Sequence, residues 1–237
     1  MSRLFEELDR QQTPMGEISV RRRLDPVLGI DVYEVKLGDE HLMSNVFTAA
    51  EIALADLALA DLDGTELDVV VGGLGLGYTA RAALADPRVR CVAVVEALPA
   101  VIDWQRRRIL PGAAELVDDP RCRLVEGDFF ALVADAAAFG PGLPDQHDAI
   151  LLDIDHTPTH VLHPSHAAFY DVQGLARLAR RLRPGGVFGL WSDRPDDEFL
   201  AAAREVFDEC DAHEVRFPNH HTGGEGVNTV YVARTAA

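Results

Sequence analysis

Apolar and polar positions along the chain fall into two regimes. From about Glu17 to Met43 short β-prone runs, EISVRRRL, IDVYEVKL and EHLMS, are broken by DPVLG and GDE, which predicts a small antiparallel meander. Thr48 then stands where a helix N-cap is expected, and TAAEIALADLALADL repeats alanine and leucine at helical spacing. Beyond it strand and helix signals alternate. Strands are expected at LDVVVGG, VRCVAVVEA, CRLVEGD, HDAILLDID and GGVFGLWSD. Helices are expected at LPAVIDWQRRRIL, from about His166 to Leu182, and at DDEFLAAAREVFDE. HEVRFP and VNTVYVAR close the chain as a hairpin candidate. Uniformly apolar strands such as AILL require burial on both faces, so the pattern predicts an α/β fold with a largely parallel sheet covered by helices on each side.

Composition narrows the class. At 237 residues the chain suits one large domain with a small appendage, here 1–47 and 48–237. Its 48% hydrophobic residues are enough for a packed core and exclude disorder as the main state. A net charge of −17 makes nucleic acid and anionic membranes poor partners, and it favours small cations. Cys91, Cys122 and Cys210 are isolated, which suggests neither a disulfide framework nor a thiolate metal cage. No apolar run approaches the ~18 residues that span a bilayer, and the expectation is a cytoplasmic protein.

Ligands of open parallel sheets bind beyond the carboxyl ends of the strands, so the strand-to-helix corners carry the chemistry. The first corner, VGGLGLGYTARAAL, fails the dinucleotide fingerprint because Tyr78 stands where the last glycine is needed. Gly73, Gly75 and Gly77 remain, a turn that lets a ligand approach the backbone or lets strand and helix pack tightly. Glu96 ends the second strand, where a carboxylate accepts both ribose hydroxyls. Asp128 ends the third, placed to receive an adenine amino group or to cap the next helix. Such an array of acids suits a nucleoside without phosphate.

The order VVVGGLGLGYTARAAL, VVEALPAVIDW, CRLVEGDFFAL, HDAILLDID, FYDVQGLARLARRLRPGGVF resembles the spermidine synthase group of the S-adenosylmethionine-dependent methyltransferase superfamily, over about Leu67 to Trp191. The β-region before it resembles, more loosely, the N-terminal domain of aminopropyltransferases, with Gln11 or Gln12 near a donor-contacting glutamine. The resemblance implies a Rossmann-like seven-stranded methyltransferase-type sheet with a small N-terminal β-region. It also implies that Glu96 holds the ribose, that Gly127 and Asp128 meet the adenine, and that Asp153 is the base that deprotonates an attacking amine.

Two departures matter. The family's GGGDGG loop carries an aspartate that holds the amine of a decarboxylated donor, and here Gly75 takes that slot. The family's DSSDP-like motif is replaced by Asp153, Ile154, Asp155 and His156. An aspartate beside the donor tail repels the carboxylate of intact S-adenosylmethionine, and glycine removes that repulsion. The expectation is therefore methyl transfer from S-adenosylmethionine to a small acceptor such as an amine. Aminopropyl transfer from decarboxylated S-adenosylmethionine is the alternative, and a non-catalytic nucleoside-binding protein the second.

Asp153 and Asp155 are the candidate catalytic acids, although Asp155 also fits a helix cap. His156, Tyr170 and Asp193 are the candidates for the acceptor side. The loop HTPTHVLHPSH has no recognised metal spacing, so no metal is expected; its prolines predict an irregular loop whose histidines face solvent or cap a helix, with a substrate lid as a further role. The β-region and the Ala-rich helix offer a surface for a homodimer.

Overall fold

A computed structural model describes residues 5–60 and 62–237. Four antiparallel strands in sequential order, β1 (Phe5–Thr13), β2 (Gly16–Asp25), β3 (Ile30–Leu37) and β4 (Glu40–Ser44), form the small sheet. The last three match the expected meander. β1 was not expected, because FEELDRQQT offers almost no apolar alternation. It is instead held by polar partners: Arg22 Nη2 donates to Glu6 at 2.8 Å, and Asp9 accepts from Trp104 Nε1 at 2.8 Å.

α1 (Ala49–Ala60) leads into the α/β part. Its strands are β5 (Leu67–Gly72), β6 (Val89–Glu96), β7 (Cys122–Glu126), β8 (His147–Leu152), β9 (Leu182–Ser192), β10 (Glu209–Asn219) and β11 (Gly224–Arg234). Its helices are α2 (Tyr78–Ala85), α3 (Pro99–Arg106), α4 (Ala113–Val117), α5 (Phe129–Ala134), α6 (Val172–Ala179) and α7 (Asp197–Val206). The sheet order is β10-β11-β9-β8-β5-β6-β7, parallel from β9 to β7, with β11 antiparallel to both β9 and β10. The fold is thus α/β, with a seven-stranded sheet and a separate small N-terminal β-sheet.

Burial on both faces shows in the strands themselves. Val69 and Val71 of β5 enter one core with α1 to α4, whereas Val70 enters the other with α5 to α7. Ile18, Val20 and Val35 of the small sheet join the first of these cores. The alanines and leucines of α1 are spent there too, with Leu54, Ala55 and Ala58 fully buried within the chain.

The helix expected from His166 to Leu182 is two shorter pieces. A 3-10 turn spans Pro164–Phe169, and α6 starts anew behind Asp171, which accepts the Gly174 N–H at 2.8 Å. Gly174 lies so close to the carbonyls of Ala168 and Phe169 that a Cβ there would collide with both. The strand order reverses between β5 and β8, and the crevice beyond their carboxyl ends is where the site lies.

Candidate active site

The first corner follows β5 immediately. Gly73, Gly75 and Gly77 have φ of +96°, +47° and +86°, a region L side chains rarely enter. Each glycine also meets a close neighbour: a Cβ would strike the Asp153 carbonyl at Gly73, Met43 Sδ at Gly75, and Leu116 Cδ1 at Gly77. The turn therefore serves close packing as well as ligand access. Glu96 braces it from β6 by accepting the N–H groups of Leu74 at 3.0 Å and Leu98 at 2.8 Å. Burial raises the Glu96 carboxyl above its ordinary range, against the pull of those same N–H groups.

Two cavities open from this crevice. One, of about 370 Å³, runs over Gly73, Glu96, Val101, Gly127, Asp128 and Phe130. Asp128 is exposed there and caps α5 by accepting the Ala131 N–H at 3.1 Å, so the capping alternative describes its visible bond. The other cavity, of about 330 Å³, is walled by Glu51, Asp153, His156, Trp191, Asp193 and Asn228. Asp153, Gly75 and Met43 line both, as do Leu42, Leu74, Ile154 and Leu162, so the two cavities meet at these residues.

The second cavity is acidic. Asp153 follows β8, its own N–H bound to the Gly72 carbonyl at 2.9 Å, and it accepts the Thr79 hydroxyl at 2.7 Å. Burial raises it to about 6, opposed by that hydroxyl. Glu51, in the first turn of α1, is raised to about 8 by burial and then by the charges of Asp153 and Asp193. Asp193 accepts from Asn228 Nδ2 at 3.2 Å, and His156 Nε2 lies 3.1 Å from Glu40. Asp153 and Asp193 face one small space with Glu51, whose carboxyl, raised to about 8, carries its proton at neutral pH, so the space attracts a cation.

Asp155 and Tyr170 line neither cavity. Asp155, 3% exposed, accepts the Leu162 N–H at 2.6 Å and the Tyr170 hydroxyl at 2.8 Å, and lies 2.9 Å from His166 Nδ1. Burial and the neighbouring Asp155 push the Tyr170 phenol well up. This cluster pins the 156–166 loop against the cavities, where His156 and Leu162 line the second and Leu162, His163, Ser165 and His166 the first. The loop's histidines have partners of their own: His163 caps the 3-10 turn, and the rings of His166 and Phe130 stack at 3.9 Å. Among the described residues no group of three or more His, Cys, Asp or Glu is arranged to hold a metal. Gln11 and Gln12 bond to Asp9 and Glu17, and it is Pro14 and Met15 of their hairpin that reach the first cavity.

Glu51 and Met43 escaped the sequence reading. Glu51 had a signal, since it stands one or two turns before Leu54, Ala55 and Ala58 on the buried stripe of α1. Met43 had none, because a bulge sets its direction: Val35 pairs with Met43 and Lys36 with His41, leaving Leu42 as the extra residue.

No established family profile matches the chain. It is 27% identical to polyamine aminopropyltransferase 2 of Pseudomonas aeruginosa over 163 residues, 64% of this chain and 43% of that protein. It is 32% identical to the polyamine aminopropyltransferase of Mycobacterium tuberculosis over 133 residues, 56% of this chain and 24% of that one. The match thus spans less than half the length of these curated relatives. Among solved structures, spermidine synthase from Thermotoga maritima superposes with a TM-score of 0.72 at 16% identity, covering 97% of this chain and 73% of that one. A spermidine synthase in complex with the transition state analogue AdoDATO gives 0.73 at 19%, covering 97% and 74%. The fold is that of a spermidine synthase. Human methyltransferase-like protein 13 in complex with SAH superposes with a TM-score of 0.52 at 24% identity, covering 78% and 79%. The spermidine synthase fold includes both the small β-sheet and the closing hairpin. The relatives' names favour aminopropyl transfer, the alternative of the sequence reading, and methyl transfer finds no support among them.

Proposed function

We propose that the chain is an aminopropyltransferase that binds decarboxylated S-adenosylmethionine in the first cavity and a small amine in the acidic one. The observation that carries this reading is the meeting of the two cavities at Asp153. The nucleoside end of the donor fits the cavity of Glu96, Gly127 and Asp128. Its sulfonium and three-carbon amine then point toward the acidic cavity. Gly75 supplies no charge beside the donor tail, which had favoured an intact donor. The adjoining acidic cavity holds Asp153 and Asp193, whose charges repel a donor carboxylate and hold amines, with the Glu51 carboxyl beside them.

In the reaction the acceptor nitrogen attacks the methylene carbon next to sulfur in line. The new C–N bond forms as the C–S bond breaks, and the electron pair stays on sulfur, releasing neutral methylthioadenosine. The attacking nitrogen needs a free lone pair, and Asp153 supplies it by first taking a proton from the acceptor's ammonium. Its raised pKa, near 6, suits a group that accepts a proton near neutral pH. Alignment of the two substrates supplies the rest of the acceleration.

The test is product analysis by mass spectrometry after incubation with each donor and a short diamine such as putrescine. Methylthioadenosine and an aminopropylated amine are expected from decarboxylated S-adenosylmethionine. S-adenosylhomocysteine with a methylated amine from the intact donor, or no product from either, overturns the reading.

A further inference from the structure

Met43 lines both cavities, and its thioether occupies the space that a side chain at position 75 would fill. The bulge in β4 aims it there, since Leu42 as the extra residue lets consecutive side chains reach the same crevice. The small sheet is thereby tied to the glycine turn of the large one. Gln105 fixes that turn from behind, its Nε2 donating to the Gly75 carbonyl at 3.1 Å. The turn thus lies between a fixed amide and a polarisable, uncharged sulfur.

We propose that Met43 is the residue that holds the donor tail, its thioether forming the wall along which the substituent on the donor sulfur passes from the nucleoside cavity into the acidic one. This rests on the donor class proposed above. An apolar wall at this point packs against the methylenes of the tail and leaves recognition of the terminal amine to the carboxylates beyond. The geometry also couples two positions: a side chain at Gly75 and the thioether of Met43 compete for one volume. A φ of +47° is tolerated by aspartate and asparagine better than by other L residues, so Gly75→Asp meets its main obstacle in Met43.

The experiment is calorimetric titration of the full chain with methylthioadenosine, which lacks the tail, and with decarboxylated S-adenosylmethionine, which carries it. Met43→Ala is expected to leave methylthioadenosine affinity within about twofold and to weaken the tail-bearing donor at least fivefold, with Met43→Leu close to the parent. Met43→Gln, nearly isosteric, serves if the alanine variant does not fold, and it is expected to weaken the same ligand. Gly75→Asp is expected to lose donor affinity in the parent and to regain at least fivefold of it when combined with Met43→Ala, a coupling that residues in contact show. Equal effects on both ligands, no effect on either, or additive behaviour of the two substitutions overturns the role of Met43. Failure of the unsubstituted chain to bind methylthioadenosine instead overturns the donor class itself.

Discussion

Two aspartates two residues apart illustrate how burial and partners divide roles at the scale of single residues. Asp153 has one side-chain bond, from Thr79, and faces both cavities, whereas Asp155 is enclosed by three donors or partners in Leu162, Tyr170 and His166. Removing one member of a buried network leaves the others unsatisfied. Asp155→Asn is therefore expected to lower stability by about 2 to 4 kcal/mol in denaturant unfolding, while the folded fraction keeps kcat within a few-fold. A folded, fully stable variant with kcat lost would place Asp155 in the chemistry after all. Glu96 is the counterpart in the nucleoside cavity. Losing a bidentate contact to ribose costs about 1.5 to 3 kcal/mol, so Glu96→Ala is expected to weaken methylthioadenosine binding roughly tenfold to a hundredfold by calorimetry. Because the two Glu96 oxygens also hold the N–H groups of Leu74 and Leu98, a melting curve of the same variant reads the loss of that brace separately from the loss of affinity.

Elements show what the chain makes legible. β5 and β8 were readable because burial on both faces leaves a signature of unbroken apolar residues, VVV and AILL. β1 was not, since its partners lie at Arg22 and Trp104 and no local pattern encodes them. The acids at strand ends, Glu96, Asp128 and Asp153, were legible because topology brings all such corners to one edge. Glu51 was missed because it comes from a helix, and only the packing of α1 turns its first turn into the acidic cavity. That placement has a thermodynamic consequence. A carboxyl raised from its ordinary 4.5 to about 8 binds protons more tightly in the folded chain than in the unfolded one. Its contribution is fully present below the ordinary value and is lost as pH rises toward 8. Glu51→Gln is expected to flatten the fall in melting temperature between pH 5 and 9, in a cavity it shares with Asp153, Asp193, His41 and His156. Parallel pH profiles for the two proteins would show that Glu51 is ionised at no cost.

For the whole molecule, the spermidine synthase fold brings two sheets together over one crevice, and the small sheet completes a site that the large one begins. Pro14, Met15, Leu42 and Met43 of the small sheet and its first turn all line the first cavity, so on the proposed reading the meander is part of the donor site. The net charge of −17 suits a cationic ligand, and Glu51, Asp153 and Asp193 wall the second cavity, Asp153 where it joins the first. On the proposed reading Asp153 is the point where donor and acceptor meet. Its most direct test is Asp153→Asn, measured as single-turnover release of methylthioadenosine from decarboxylated S-adenosylmethionine with a saturating diamine, beside donor affinity in the same preparation. Release slower by about a hundredfold or more with donor affinity held within a few-fold is the predicted result; release at the parent's rate would contradict it.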